Sequence, residues 1–220
     1  MRFNPSLKNS KSVTPNLVNK NNSVKLKAND NNKLNAHDAT AKVMFLHESL
    51  EGHKDNKLKF TDLLPEKIYC EKIEAAFNPV ISDKQLLTHE KKIINLNYDN
   101  GNRAKSIFKL VLSDEIINNY WIYEVDINDH KFGLNQRGTF RAFMLYVIDS
   151  SELNDNSNML IVFLLDPHHL VFPIEDKIKK LKKNQVMNKT YDSYKDDSET
   201  FLRIFKDKFH KDDFIKIDNL

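Results

Sequence analysis

The segment Asp166-Pro167-His168-His169 is the densest group of side chains in the sequence that could take part in acid–base chemistry. An imidazole titrates near neutral pH and can move a proton, and a nearby carboxylate can orient it. Successive residues of an extended segment point to opposite faces, so only one of the two histidines can face a given site. His168 shares the face of Asp166 if the segment stays extended. The alternative is structural: an Asp-Pro turn after a core strand, with both histidines half buried.

Two arginines, Arg137 and Arg141, lie at the start of another apolar run. A buried arginine needs a partner, because an unpaired charge in a core is costly. One explanation for Arg141 is an internal salt bridge to a carboxylate such as Glu124 or Asp126. The other is recognition of a phosphate or carboxylate at the mouth of the strand. The sequence leaves both explanations open.

Strand order predicts that these groups meet at one edge of a sheet. Arg141 begins one predicted strand and Asp166 ends the next, so antiparallel pairing would bring them together. The resulting candidate catalytic group contains His168, Arg141, Arg137, Asp166 and the loop residue His130. Such a set would suit metal-independent RNA cleavage, with a base for the 2′-hydroxyl, an acid for the leaving oxygen and arginines on the phosphate. No metal or other cofactor is expected, because the spacing supplies only two or three ligands.

A small antiparallel sheet with helices and Arg/His chemistry resembles the RelE-like ribonuclease toxins at the level of fold. The resemblance implies a toxin-like ribonuclease. The usual compact length and helix-first order of that family are not matched by this sequence.

The composition excludes several common classes of enzyme. The chain has four glycines in 220 residues and lacks the glycine-rich nucleotide-binding motifs, Gly-x-Ser-x-Gly and His-Glu-x-x-His. Its single cysteine, Cys70, cannot form an internal disulfide, which favours the cytoplasm. The most apolar segment, 159–165, is far shorter than the roughly 18 residues that cross a bilayer, so no membrane partner is expected.

Residues 1–38 predict a disordered basic arm. Asparagine, serine and lysine dominate this segment, which offers too little apolar surface to offset the entropy of ordering. Seven basic side chains against one aspartate, Asp30, give its first 36 residues a net charge of +6 and leave −3 on the remainder. A basic arm on a mildly acidic body suggests contact with nucleic acid, although a solvated leader without a role has the same composition.

Residues 39–220 predict a single α+β domain built on a mostly antiparallel β-meander of about four to six strands with flanking helices. The predicted strands are 42–50, 92–98, 104–112, 120–127, 139–148 and 159–165, with a hairpin turn at 99–102. The predicted helices are 62–77, which Asn78-Pro79 should end, and C-terminal helices at about 174–184 and 197–210.

Lysines mark the expected nucleic-acid contacts. Four lie in the arm and four lie on the first C-terminal helix: Lys20, Lys25, Lys27, Lys33, Lys179, Lys180, Lys182 and Lys183. The first hypothesis is therefore an accessory protein that binds nucleic acid, RNA rather than DNA. The A/T-biased composition suggests a bacterial mobile-element or defence locus. The alternatives are the small ribonuclease and a protein-interaction subunit of a larger complex whose arm folds on its partner.

Overall fold

The computed structural model describes residues 41–66, 71–89, 91–97, 101–127, 140–149 and 157–216. The predicted basic arm lies outside these residues, as do Cys70 and the predicted hairpin turn at 99 and 100.

A six-stranded mixed sheet forms the centre of the fold. Its strands are β1 (Ala41–Leu46), β4 (Lys92–Ile93), β5 (Trp121–Asp126), β6 (Arg141–Asp149), β7 (Ser157–Asp166) and β8 (Phe214–Ile215), in the order β4-β5-β6-β7-β1-β8. The pairs from β4 to β7 are antiparallel, whereas β1 is parallel to both β7 and β8. A separate antiparallel hairpin consists of β2 (Lys54–Asp55) and β3 (Phe60–Thr61).

The predicted meander is therefore wrong, and the protein is an α+β fold with a mixed sheet. The first strand inserts between β7 and β8 instead of standing at the start of a sequential series. Burial explains this position, because Phe45 belongs to the core on one face of the sheet and Leu46 to the core on the other. A strand that is apolar on both faces is stable only where both faces are covered.

In the described part of the chain, the two faces are covered by five α-helices: α1 (Glu71–Ser82), α2 (Gly101–Phe108), α3 (Asp114–Asn119), α4 (Lys183–Tyr194) and α5 (Phe201–Ile204). One core packs α1 and α5 on the sheet through Phe77, Phe201 and Phe205. The other packs α2, α3 and α4 on the opposite face through Phe108, Ile117 and Tyr191. The sheet is thus a central layer between two layers of helices.

The predicted hairpin of 92–98 with 104–112 is wrong, because the second half of it is helix α2. Ala104, Ile107 and Phe108 recur at helical spacing and are all fully buried, so a helix puts all three on the sheet. Gly101 begins this helix. A Cβ at Gly101 would lie 1.9 Å from the Leu96 carbonyl oxygen, so only glycine permits this close approach.

The helix predicted at 62–77 to end before Pro79 is shifted to Glu71–Ser82, and Pro79 lies inside it. Val80 and Ile81, in the turn after Pro79, are buried against the sheet, and their burial offsets the hydrogen bond that proline cannot make. Helix α1 therefore continues past Pro79 and ends at Ser82.

The C-terminal helices also differ from their predicted bounds. Residues 174–182 form turns and an isolated bridge, and the helix starts at Lys183. The predicted helix at 197–210 is reduced to α5 and a 3-10 turn at Lys206–Lys208, with Thr200 as the N-cap of α5.

Candidate functional site

Three charged residues stand side by side at the ends of three adjacent strands of the sheet. Arg141, the first residue of β6, is the register partner of Asp126 on β5 and of Asp166 on β7. A β-bulge lies between Phe143 and Met144, whose partners are Leu164 and Val162. Phe163 is the extra residue, and the bulge sets the register that places Asp166 opposite Arg141.

Asp166 is fully buried and holds the loop that follows β7. Its two carboxylate oxygens accept hydrogen bonds from the backbone N–H groups of Leu170 and Val171, each at 2.8 Å. Burial raises the pKa of Asp166 to about 6, although these two donors and the charge of Arg141 act in the opposite direction. Both oxygens of the carboxylate are therefore used in hydrogen bonds that stabilise the turn after β7.

Arg141 is paired internally. Its Nη1 donates to Asp126 and to the Phe140 carbonyl oxygen, and its Nε lies 3.2 Å from a carboxylate oxygen of Glu124. Burial raises the pKa of Glu124, and the charge of Arg141 opposes this shift. Of the two explanations for Arg141, the internal salt bridge is the arrangement present in the structure.

His168 lies on the side of helix α4 and is 7% exposed. Its Nε2 is 2.8 Å from the Leu63 carbonyl oxygen, which can only accept, so Nε2 carries the proton. The imidazole stacks on the ring of Tyr194, with centroids 3.9 Å apart. Burial lowers the pKa of His168 to about 4. At neutral pH His168 is therefore an uncharged imidazole whose N–H is already bonded.

His169 points to the other side, toward Arg141, and was not among the predicted site residues. Its φ is 58°, a conformation unusual for a residue with a side chain. Its Nδ1 is buried without a hydrogen-bond partner in the described part of the chain. Burial, with a further contribution from the positive charge of Arg141, lowers the pKa of His169 to about 4. Alternation along an extended segment could not have found it, because that pattern places His168 and not His169 on the face of Asp166.

The other two predicted catalytic residues, His130 and Arg137, lie outside the described residues. The structure thus brings together Arg141, Asp166 and His169, and it directs His168 away toward α4. Within the described residues, no group of three or more His, Cys, Asp or Glu side chains could hold a metal ion. No helix in this part of the chain is long and apolar enough to cross a membrane.

A buried pair of titratable side chains, His53 and Asp62, was missed because the β2–β3 hairpin separates the two residues in the sequence. His53 Nδ1 lies 2.9 Å from a carboxylate oxygen of Asp62, and Asp62 also accepts the backbone N–H of His53. Burial lowers the pKa of His53, but the Asp62 carboxylate outweighs it, and the net pKa is raised. Burial raises the pKa of Asp62 itself, which lies close enough to Asp166 to raise the pKa of that group as well.

Arg103 joins this hairpin to the loop after β7. Its guanidinium donates to the carbonyl oxygens of Leu58, Lys59 and Leu170, the last at 2.8 Å. Helix α4 packs on the same hairpin, since the buried Tyr191 donates its hydroxyl hydrogen to Asn56.

The predicted lysines of the C-terminal region lie on a short hairpin, which we call the basic hairpin (residues 176–183). Asp176 and Leu181 exchange two backbone hydrogen bonds of 3.0 and 2.9 Å. The Asp176 carboxylate also accepts the backbone N–H groups of Ile178 and Lys179, at 3.1 and 3.0 Å. Five lysines of this segment are exposed to solvent: Lys177, Lys179, Lys180, Lys182 and Lys183. Ile178, at the tip, is 94% exposed.

A cleft of about 290 Å³ separates the basic hairpin from helix α4. Its wall contains two lysines, two hydroxyls, the His168–Tyr194 stack and apolar side chains: Lys179, Lys189, Thr190, Ser193, Pro167, Leu181 and Val186, with Asp176 at one side. The four predicted lysines of the arm, by contrast, lie outside the described residues.

Comparisons with protein-family models, with curated proteins and with solved structures find no match for this chain. The candidate site therefore has to be interpreted from its own geometry.

Proposed function

We propose that this protein binds nucleic acid, RNA rather than DNA, through the basic hairpin and the first turn of helix α4. The observation that carries the proposal is the presentation of five exposed lysines within residues 177–183. A carboxylate oxygen of Asp176 is 3.9 Å from the Lys179 ammonium, and the other carboxylate oxygen of Asp176 accepts a backbone N–H of the turn. The lysine charges are thus directed to solvent.

The hairpin geometry favours binding over a merely solvated tail. Two reciprocal backbone hydrogen bonds and the Asp176 turn fix the backbone before any partner arrives, which reduces the entropy lost on binding. Lysines that neutralise phosphates release counterions, so the affinity should fall steeply with salt. A cytoplasmic location remains part of the proposal, because a lone cysteine cannot form an internal disulfide.

The ribonuclease hypothesis gains less support. A general base needs a pKa near the working pH and a free nitrogen lone pair aimed at its substrate. The pKa of His168 is about 4, and its N–H is bonded to Leu63. The guanidinium of Arg141 is occupied by Asp126 and Glu124. We therefore expect the protein to bind RNA without cleaving it.

The test measures fluorescence anisotropy of a labelled, mixed-sequence single-stranded RNA with the full chain, across a salt series with chelator present. The triple variant Lys179→Gln, Lys180→Gln, Lys182→Gln should bind more weakly and reduce the slope of log K against log salt by about two. The matched control neutralises three exposed lysines elsewhere: Lys42, Lys72 and Lys206. Unchanged binding in the first variant, or an equal loss in the control, would overturn the proposal.

A protein partner is the second candidate, and one observation favours it. Ile178 is 94% exposed at the tip of the hairpin and Ile174 is 60% exposed beside it, although exposed isoleucine is unfavourable. An interface built on these side chains would depend weakly on salt. This candidate would be favoured if neither the wild-type protein nor Ile178→Ser bound RNA, and if the wild-type protein formed a salt-insensitive complex with a protein partner that Ile178→Ser did not form.

A further inference from the structure

The cleft between the basic hairpin and helix α4 combines three kinds of surface. Lys179 and Lys189 supply positive charge, with the Asp176 carboxylate 3.9 Å from the Lys179 ammonium, and Thr190 and Ser193 supply hydroxyls. Val186 and its apolar neighbours form the remaining wall. Binding of a phosphate group alone would require only the positive charge.

We propose that this cleft holds one nucleotide of a single-stranded nucleic acid, so that the protein prefers single strands to duplexes; the inference rests on the proposed function. In this arrangement the lysines contact the phosphates and the base lies against the apolar wall. The Ser193 hydroxyl oxygen, whose hydrogen is donated to the Lys189 carbonyl, accepts a hydrogen bond from the sugar or the base edge. The cleft, at about 290 Å³, is at the lower end of the range for ligand pockets, which fits one nucleotide unit and not a longer segment.

Single-strand selectivity follows from access to the base. In a duplex the bases are stacked and paired inside the helix, whereas a single strand can turn one base outward into a pocket. Simple phosphate neutralisation by lysines would not distinguish the two forms in this way.

The wall beside this pocket is held by the core. His168 stacks on Tyr194 and donates to the Leu63 carbonyl, and Pro167 and His168 are both buried. The cleft is therefore shaped before binding, and little ordering is required when a base enters.

The experiment compares labelled single-stranded RNA with an RNA duplex of the same composition, using the full chain at moderate salt. Ser193→Leu places a larger side chain in the cleft without changing charge. Ser193 is exposed, and its hydroxyl donates to the Lys189 carbonyl four residues earlier at 3.0 Å. The matched control is Ser82→Leu, since Ser82 is also exposed on a helix and donates to the Asn78 carbonyl at 3.0 Å, on the other face of the sheet.

We expect the wild-type protein to bind the single strand more tightly than the duplex. Ser193→Leu should lose about tenfold in affinity for the single strand and leave the duplex affinity unchanged. Ser82→Leu should behave as the wild-type protein. Equal wild-type affinity for both RNAs, or an unchanged preference in Ser193→Leu, would overturn the inference while leaving the proposed function standing. Absence of lysine-dependent binding to either RNA would overturn both.

A second measurement needs no variant. Single-stranded RNA containing 4-thiouridine, photocrosslinked to the wild-type protein, should attach within residues 167–194. Attachment found only outside that segment would contradict the inference even if Ser193→Leu failed to fold.

Discussion

The rings of His168 and Tyr194 lie nearly parallel, with centroids 3.9 Å apart and planes inclined by 11°. His168 follows β7 and Tyr194 ends helix α4, so this stack anchors the loop after the central strand to the helix. The hydrogen bond from His168 to the Leu63 carbonyl adds the segment after β3 to the same contact. Three distant parts of the chain therefore meet at one uncharged imidazole.

Acidification should destabilise the protein through His168. Because its pKa is about 4 in the folded state and about 6.5 in the unfolded state, the unfolded chain binds the extra proton first as the pH falls. The stability from this group is present above pH 6.5 and is lost toward pH 4, with a full size of about 3 kcal/mol. Urea midpoints of the wild-type protein and His168→Phe from pH 7 to pH 4.5 should differ in slope, being flatter in the variant.

The exposed His89 provides the control for that series, through His89→Gln. The pKa of His169 is also lowered and that of Asp166 is raised. Both groups are present in the wild-type protein and in both variants, so they do not account for a difference between the pH slopes. Identical pH slopes for His168→Phe and the wild-type protein would contradict the assignment.

Asp166→Asn should loosen the loop after β7 without disrupting the strand. An asparagine can accept one of the two backbone N–H groups that Asp166 now accepts, but its amide group faces the other donor. One buried N–H is then unsatisfied, at a cost of about 1 to 3 kcal/mol. Hydrogen exchange should show faster exchange of the Leu170 and Val171 amides relative to amides at the centre of β7. Unchanged protection of both amides would show that the carboxylate does not hold the loop.

Arg141→Met should destabilise the protein near neutral pH by about 1 to 3 kcal/mol, because Glu124 and Asp126 lose their shared cation. These side chains are partly exposed, and solvent reduces the loss below that of a fully buried pair. The double variant Glu124→Gln, Arg141→Met should recover part of the stability, measured as the coupling in a double-mutant cycle of urea unfolding. RNA affinity should stay within a factor of two of the wild type. A large loss of affinity in a folded Arg141→Met would instead assign Arg141 to the ligand.

Arg103→Lys should detach the β2–β3 hairpin from the loop after β7. An ammonium group cannot reach Leu58, Lys59 and Leu170 with the fixed fork of a guanidinium, although the charge is kept. Thermal unfolding should show a loss of about 1 to 3 kcal/mol. Lys105→Arg, on the same helix, keeps the charge elsewhere and serves as the control. A stability equal to that of the wild type would mean that the three carbonyl contacts contribute little.

The parts of the fold that could be predicted from the sequence are the long strands of alternating or continuous apolar residues. β5, β6 and β7 lie within one or two residues of their predicted bounds, because burial on one or both faces leaves a strong local pattern. The strand predicted at 104–112 was wrong for a related reason. This segment is apolar enough to match both the two-residue period of a strand and the 3.6-residue period of a helix, and only its packing on the sheet selects the helix. The parallel position of β1 depends on pairing with residues more than 100 positions away, for which the sequence has no local signal.

Only the part of the candidate site that depends on the pairing of neighbouring strands could be predicted from the sequence. Antiparallel pairing was enough to place Arg141 opposite Asp166. The turn after Asp166 was not predictable, because His169 takes a positive φ that sends the two histidines to different neighbours. The cleft beside α4 could not be inferred either, since the segment 174–182 was expected to be helical and forms a hairpin instead.

The position of β1 between β7 and β8 has a consequence for synthesis on the ribosome. Its register partners on β7 begin at Asn158 and those on β8 begin at Phe214, so the strand leaves the exit tunnel long before either neighbour exists. During that interval Val43, Phe45 and Leu46 are an unpaired apolar edge of the kind that aggregates or recruits holdase chaperones. The sheet of this protein is thus expected to close late, after translation has passed β7, and β1, the first strand of the described residues, enters it as one of the last.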